Sequence, residues 1–99
     1  GPLDTLVFPR AYQTSQVIMA LVHAAPEEIL PEDISGLLQD IQNDQGILAQ
    51  SAGLLAIRMI GKNDDALYNR ISQQQLPNGS WDNNPFFTAY ASMALRGYL

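Results

Sequence analysis

Six side chains carry groups that a ligand could bind, and they are Tyr12, Arg58, Thr88, Tyr90, Ser92 and Arg96. Their hydroxyls and rings would suit an apolar ligand with a few polar groups, whereas the guanidiniums would suit an anion. The same residues also have a structural interpretation, because aromatic side chains at helical spacing pack in cores and arginines near helix C-termini complement the helix dipole. Both interpretations stay open, and the spacing favours the structural one.

The sequence offers no set of residues for catalysis or metal binding. It has no cysteine, which removes thiol nucleophiles and cysteine-ligated zinc, and it has a single histidine. His23 is predicted near the end of an apolar helix, where bonding to the terminal carbonyls explains it without a ligand. We therefore predict no catalytic residue, no metal site and no cofactor.

Charge and hydropathy exclude two classes of partner. Five Lys and Arg stand against ten Asp and Glu in 99 residues, a net charge of -5, so no basic surface is available for a nucleic acid. No apolar run approaches the roughly 18 residues of a membrane span. With 46% apolar and 15% charged residues, one small domain is rich in apolar surface, which suggests that a partner covers part of it.

Five helices are predicted, over about residues 10–25, 31–42, 47–60, 63–75 and 86–99. The first, third and fifth are apolar nearly all round, and the first and third should be largely buried. The second and fourth carry one apolar stripe and should cover them. Pro31 begins the second helix, Asn63 is the expected N-cap of the fourth, and Asn84 with Pro85 begins the fifth. The predicted fold is all-α, in one domain over residues 10–99.

Residues 1–9 are interpreted as an extended lead-in that Pro9 closes just ahead of the first helix. Residues 6–8 are expected to pack against the domain. Residues 1–3 resemble the remnant of a cleaved expression tag.

The apolar helices repeat one pattern: QTSQVIMALV from residue 13, AQSAGLLAIR from residue 49 and FTAYASMALR from residue 87. Ala20, Ala56 and Ala94 fall in register, which gives periods of about 36 and 38 residues. Arg58 and Arg96 are also equivalent. Periods of this length predict stacked helical hairpins, here about two and a half of them. A stripe of small residues in the third helix would let a neighbouring helix approach closely.

The segment ISQQQLPNGSW, residues 71–81, resembles the L-x3-Q-x2-5-G-x-W core of the QW repeat, and residues 88–95 resemble the helix that follows it. The chain is similar to the α/α-toroid superfamily of terpenoid cyclases, prenyltransferases, cobalamin carriers and complement-like thioester domains. The likeness is good over residues 67–95, weaker over 38–58, and limited to a helix pattern over 10–25. It implies an open segment of an α/α-toroid, too short to close a ring. Arg70 and Leu48 depart from the pattern, since each stands where the repeat has an aromatic residue.

The motif suggests a structural staple between hairpins, formed by Gln45, Gln75, Gly79 and Trp81. A glutamine at the end of a covering helix could hydrogen-bond backbone groups at the start of the next helix, and the tryptophan could stack on its amide. Such a joint serves enzymes and binding proteins alike.

The leading functional hypothesis is a non-catalytic binding or interaction module that contacts a protein partner or an apolar small ligand through its inner-helix ends. Self-association through the exposed end helices is a further hypothesis. The alternative is a fragment of a class II terpenoid cyclase, which the resemblance implies would need an acidic D-x-D-D motif. The nearest match is Asn63-Asp64-Asp65, which we interpret as a helix start. The sequon Asn78-Gly79-Ser80 favours an extracellular location.

Overall fold

Five α-helices make up most of the chain that the computed structural model describes, which covers residues 8–44 and 46–97. They are α1 (Arg10–Ala24), α2 (Pro31–Asn43), α3 (Ile47–Met59), α4 (Asp65–Gln73) and α5 (Pro85–Arg96), and one 3-10 turn (Pro26–Glu28) lies between α1 and α2. The all-α prediction is confirmed. None of the helices in the described part is both long enough and apolar enough to cross a membrane.

The helix starts follow from local capping. Pro31 begins α2 and Pro85 begins α5, as predicted, and the Asn84 side chain accepts hydrogen bonds from the backbone N–H groups of residues 86 and 87. The prediction of Asn63 as the N-cap of α4 is wrong. Asp64 is the cap, and its Oδ1 accepts a hydrogen bond of 3.0 Å from the backbone N of Leu67. Asp64 has an extended backbone and α4 begins at the next residue, so its carboxylate can reach the backbone N–H at the third helical position.

The helices form two layers. In the inner layer, α3 lies between α1 and α5 and packs extensively against both, while α2 covers α1 and α3, and α4 covers α3 and α5. No Cα atom of α2 lies within 8 Å of one in α4, and the same is true of α1 and α5. Because α3 has neighbours on every side, ten consecutive residues from Leu48 to Ile57 are buried, as predicted for this helix.

Gly53 is a place where the two layers approach closely. A Cβ atom at this position would overlap the Cδ1 atom of Ile41 on α2. The small-residue stripe of α3 therefore does allow the covering helix to approach its backbone, and a side chain at residue 53 would force the Ile41 side chain to move.

The prediction that α1 is largely buried is wrong. Its buried residues are Ala11, Ser15, Ile18 and Met19, and Val17 is 59% exposed. The cause is the position of α1 at the end of the inner layer, where it has packing neighbours on one side only. An apolar helix at the end of a row keeps an apolar surface.

Candidate functional site

Four aromatic side chains meet at the N-terminal ends of α1 and α5, and we call them the aromatic platform: Phe8, Tyr12, Phe86 and Tyr90. The rings of Phe8 and Tyr12 stack with centroids 4.7 Å apart. The ring of Tyr90 meets Tyr12 and Phe86 edge to face, with centroids 5.6 Å and 5.2 Å apart. These are favourable geometries for aromatic pairs, so the platform is a packed cluster and not a loose set of side chains.

Helix geometry places three of the four rings. Phe86 and Tyr90 are four residues apart in α5 and share one helix face, and Tyr12 lies in the first turn of α1, whereas Phe8 precedes α1 by two residues. The Gln13 side chain donates a hydrogen bond of 2.8 Å to the carbonyl oxygen of Phe8 and holds that residue against the first turn. Since no Cα atoms of α1 and α5 are within 8 Å, side chains alone bridge the two helices here.

Polar groups beneath the rings fix their orientation. The Gln16 amide donates to the hydroxyl of Tyr90, and that hydroxyl donates to the Tyr12 oxygen at 3.4 Å. Burial, together with the hydrogen bond to Tyr12, raises the pKa of Tyr90 to about 12, and the bond from Gln16 opposes this only in part. Tyr90 therefore stays protonated at neutral pH.

The outer part of the platform is open to solvent. Phe8 is 47% exposed and Phe86 is 42% exposed, and their ring centroids are 6.4 Å apart. Two adjacent half-exposed phenylalanine rings form a continuous apolar surface. Apolar surfaces of this kind, when they are held rigidly, mark sites of protein or ligand contact.

The predicted ligand residues separate into different places, and only Tyr12 and Tyr90 meet on the platform. Thr88 and Ser92 lie on another face of α5, where they line a groove of about 520 Å³ together with the loop of residues 78–84. Thr88 and Ser92 do not share a face of α5 with Tyr90. Residues two positions apart in a helix differ by about 200° in direction, so Tyr90 points away from the other two.

Arg58 holds the end of the neighbouring helix. Its guanidinium donates hydrogen bonds to the carbonyl oxygens of Ala94 and Leu95, at 3.2 Å and 3.0 Å, and lies 5.7 Å from the ring centroid of Tyr68. These contacts satisfy the C-terminal carbonyls of α5. Arg58 thus complements a helix dipole, as expected, but the dipole is that of α5 and not that of its own helix α3. Arg96 is exposed in the last turn of α5.

Trp81 joins α4 to α5. The side chain is 3% exposed, its indole Nε1 donates a hydrogen bond of 2.8 Å to the carbonyl oxygen of Ile71, and its backbone N donates to Thr88 Oγ1 at 3.0 Å. Thr88 thus has a structural partner within the chain. In the earlier repeat, Leu48 stands at the position of Trp81 and is buried as well.

The glutamine contacts differ from the expected staple. Gln75 Nε2 donates to the carbonyl oxygen of Gly79 at 2.9 Å, inside the loop, and not to the start of α5, where the Asn84 side chain already accepts from the free N–H groups. Gln74 instead links α4 to α3, since its Nε2 donates to Gln50 Oε1 at 2.8 Å. Gly79 has φ of +87°, which its lack of a side chain permits. Gln45 lies outside the described residues.

Sequence reasoning missed Phe8 and Gln16 as parts of the site. The spacing of Phe8, Tyr12 and Gln16, four residues each, could have signalled one face, but α1 begins only at Arg10.

His23 is exposed in the last turn of α1. Within residues 8–44 and 46–97, no three His, Asp or Glu side chains come together in a way that could hold a metal ion.

In comparisons with known proteins, the chain matches no protein-family model, no curated protein and no solved structure. The likeness to the α/α-toroid superfamily therefore rests on the residues of the QW-like segment alone. The geometry of the aromatic platform is therefore the main indication of a function.

Proposed function

We propose that the protein is a non-catalytic interaction module of helical hairpins, which binds an apolar side chain of a protein partner on the aromatic platform. The observation that carries this proposal is the pair of half-exposed rings, Phe8 and Phe86, on a cluster whose inner members are hydrogen-bonded. The platform lies at the N-terminal ends of inner helices, as the leading sequence hypothesis requires.

The platform is suited to binding because its rings are ordered before a partner arrives. Tyr12, Gln16 and Tyr90 form a connected set of hydrogen bonds beneath the exposed rings. Binding therefore costs little conformational entropy in ordering these side chains, which is the main advantage of a preformed site.

The apolar area sets the scale of the affinity. Covering about 90 Å² on each of the two exposed rings would contribute roughly 4 to 5 kcal/mol at about 25 cal/mol per Å². Association costs at least about 4 kcal/mol in lost translation and rotation. The platform alone thus supports weak binding, and a partner must add contacts around its rim to reach micromolar affinity.

We also propose that the hairpins are arranged as in a segment of an α/α-toroid. The support is the inner layer of α1, α3 and α5, the outer layer of α2 and α4, and the buried Trp81 joint at the QW-like segment. The cyclase alternative has no such support, because the Asp64 carboxylate of its nearest acidic motif is engaged as a helix cap.

A titration with N-acetyl-phenylalanine amide, followed by NMR of the aromatic and methyl groups, tests the site. We expect shift changes that grow with the ligand concentration and are largest at Phe8, Tyr12, Phe86 and Tyr90. Leu38 on α2 supplies a control surface, since it is also an exposed large apolar side chain. Shift changes that are spread evenly over Leu38 and the platform would show non-specific contact and would overturn the proposal.

A further inference from the structure

The outward face of α1 carries a stripe of uncharged, exposed residues, which we call the α1 flank: Gln13, Val17, Ala20 and Ala24. The spacings of four, three and four residues place them on one helix face. Val17, at 59%, is the most exposed large hydrophobic side chain of the described residues. The flank shares no residue with the aromatic platform, although Gln13 also donates a hydrogen bond to the carbonyl oxygen of Phe8, and the proposal made here goes beyond the proposed function.

The internal repeat shows what this face does in the other inner helices. In the repeat register, Val17 and Ala20 correspond to Gly53 and Ala56 in α3, which are buried, and Gly53 lies against Ile41 of α2. In α5 the equivalents are Ala91 and Ala94, both buried. The same face is thus a helix-packing surface twice in this chain, and in α1 it is exposed.

We propose that the α1 flanks of two copies of the chain pack antiparallel about a two-fold axis and form a symmetric dimer. The stripe is self-complementary in this arrangement. With the axis between residues 18 and 19, Val17 faces the second copy's Ala20, and Gln13 faces the second copy's Ala24. A larger side chain meets a small one at each of these places, which allows close approach of the two helices.

Charge complementarity supports the same orientation. Arg10 begins α1, and its side chain is 85% exposed although it pairs with Asp40 at 3.4 Å. Glu27 lies in the exposed turn that follows α1. In the antiparallel arrangement, the Arg10 end of each α1 approaches the turn that carries Glu27 of the other copy, whereas a parallel pair would bring two Arg10 side chains together. Such exposed ion pairs add little affinity but select orientation.

The dimer should be weak. One pair of 15-residue helices cannot bury the roughly 1,200 to 2,000 Å² of a standard interface, so the dissociation constant should lie at about 10 to 100 µM. The self-complementary flank lies between the positive charge of Arg10 and the negative charge of Glu27. A second copy fits this arrangement better than an unrelated helix does.

Sedimentation equilibrium of the whole chain, from about 10 µM to 1 mM, tests the dimer. We expect a monomer–dimer equilibrium, and Val17→Asp should raise the dissociation constant at least about tenfold. Because Val17 is exposed, circular dichroism should show the same helicity and melting temperature for this variant. Ala66→Asp, on an exposed position of α4, is the matched control and should leave association unchanged.

Charge reversal tests the orientation. Arg10→Glu and Glu27→Arg should each weaken association several-fold, and an equimolar mixture of the two should recover it, because opposite charges then face each other at both ends. Asp40→Asn removes the partner of Arg10 within the chain and should leave the dimer intact. A wild-type chain that stays monomeric at the highest concentration, a dimer indifferent to Val17→Asp, or single reversals without effect would each overturn the proposal.

Discussion

The indole Nε1 of Trp81 donates a buried hydrogen bond of 2.8 Å to the carbonyl oxygen of Ile71, ten residues earlier in the chain. This bond fastens the loop between α4 and α5 to the last turn of α4. Because the backbone N of Trp81 also bonds the Thr88 hydroxyl, the same residue sets where α5 begins relative to α4. The position of Phe86 on the aromatic platform depends on this joint, since Phe86 lies in the first turn of α5.

Trp81→Ala should lower the free energy of unfolding by about 3 to 5 kcal/mol, because it empties a buried site and removes the bond to Ile71. Trp81→Phe keeps most of the ring but leaves the Ile71 oxygen unpaired, and should cost about 1 to 3 kcal/mol. Urea denaturation of the two variants measures both values. A loss below about 1 kcal/mol for Trp81→Ala would mean that the side chain does not hold α4 and α5 together.

Gly97→Ala should destabilise the chain by about 2 to 4 kcal/mol for two reasons. Residue 97 has φ of +87°, and a Cβ atom there would lie 2.9 Å from the Arg58 guanidinium, which would displace its bonds to the end of α5. Gly61→Ala is the matched control, because Gly61 has φ of +83° but a Cβ atom there would meet nothing within 4 Å. It should cost only about 1 kcal/mol. Equal losses in thermal unfolding would show that the Arg58 contact contributes nothing.

Asp64→Ala should cost about 0.5 to 2 kcal/mol, as expected for the loss of a helix N-cap. Asn63→Ala should change stability by less than about 0.5 kcal/mol, because Asn63 is exposed and outside α4. Chemical denaturation distinguishes the two positions. A larger loss of stability for Asn63→Ala than for Asp64→Ala would show that Asn63 is the cap.

The raised pKa of Tyr90 makes stability depend on alkaline pH. The folded state holds the phenolic proton up to about pH 12, while the unfolded chain releases it near pH 10. The contribution of this group to the free energy of unfolding is therefore constant below about pH 10 and falls as the pH rises from there to about 12. Denaturation of wild type and Tyr90→Phe across this range should show a steeper fall for wild type, and parallel curves would refute the shift.

The helices were largely predictable from the sequence because their signals are local. Pro31 and Pro85 fix backbone dihedrals and begin α2 and α5, and the apolar pattern around Leu54 and Leu55 indicated a buried α3. The exposure of Val17 was not predictable, because it depends on how many neighbours α1 has and not on its own residues. Tertiary packing decides such cases.

The candidate site was predictable only in part. Tyr12 and Tyr90 were identified by type, but the contact between Phe8 and Phe86 depends on how α1 and α5 pack on either side of α3, which no local pattern contains. The contact of Gln74 with Gln50 and the contact of Gln75 inside the loop were unpredictable for a similar reason. α4 ends at Gln73, so the directions of the next side chains follow from the loop and not from helical periodicity.

The affinity of Phe86→Ala for N-acetyl-phenylalanine amide tests the proposed platform most directly. Phe86 is 42% exposed and packs against Tyr90, so the variant should lose about 1 to 3 kcal/mol of stability and stay folded, which melting curves will verify. We predict an affinity at least about tenfold lower than that of wild type, read from the initial slopes of the ligand-induced shift changes, with Leu38→Ala unchanged. An affinity for Phe86→Ala equal to that of wild type would contradict the proposed role of the platform.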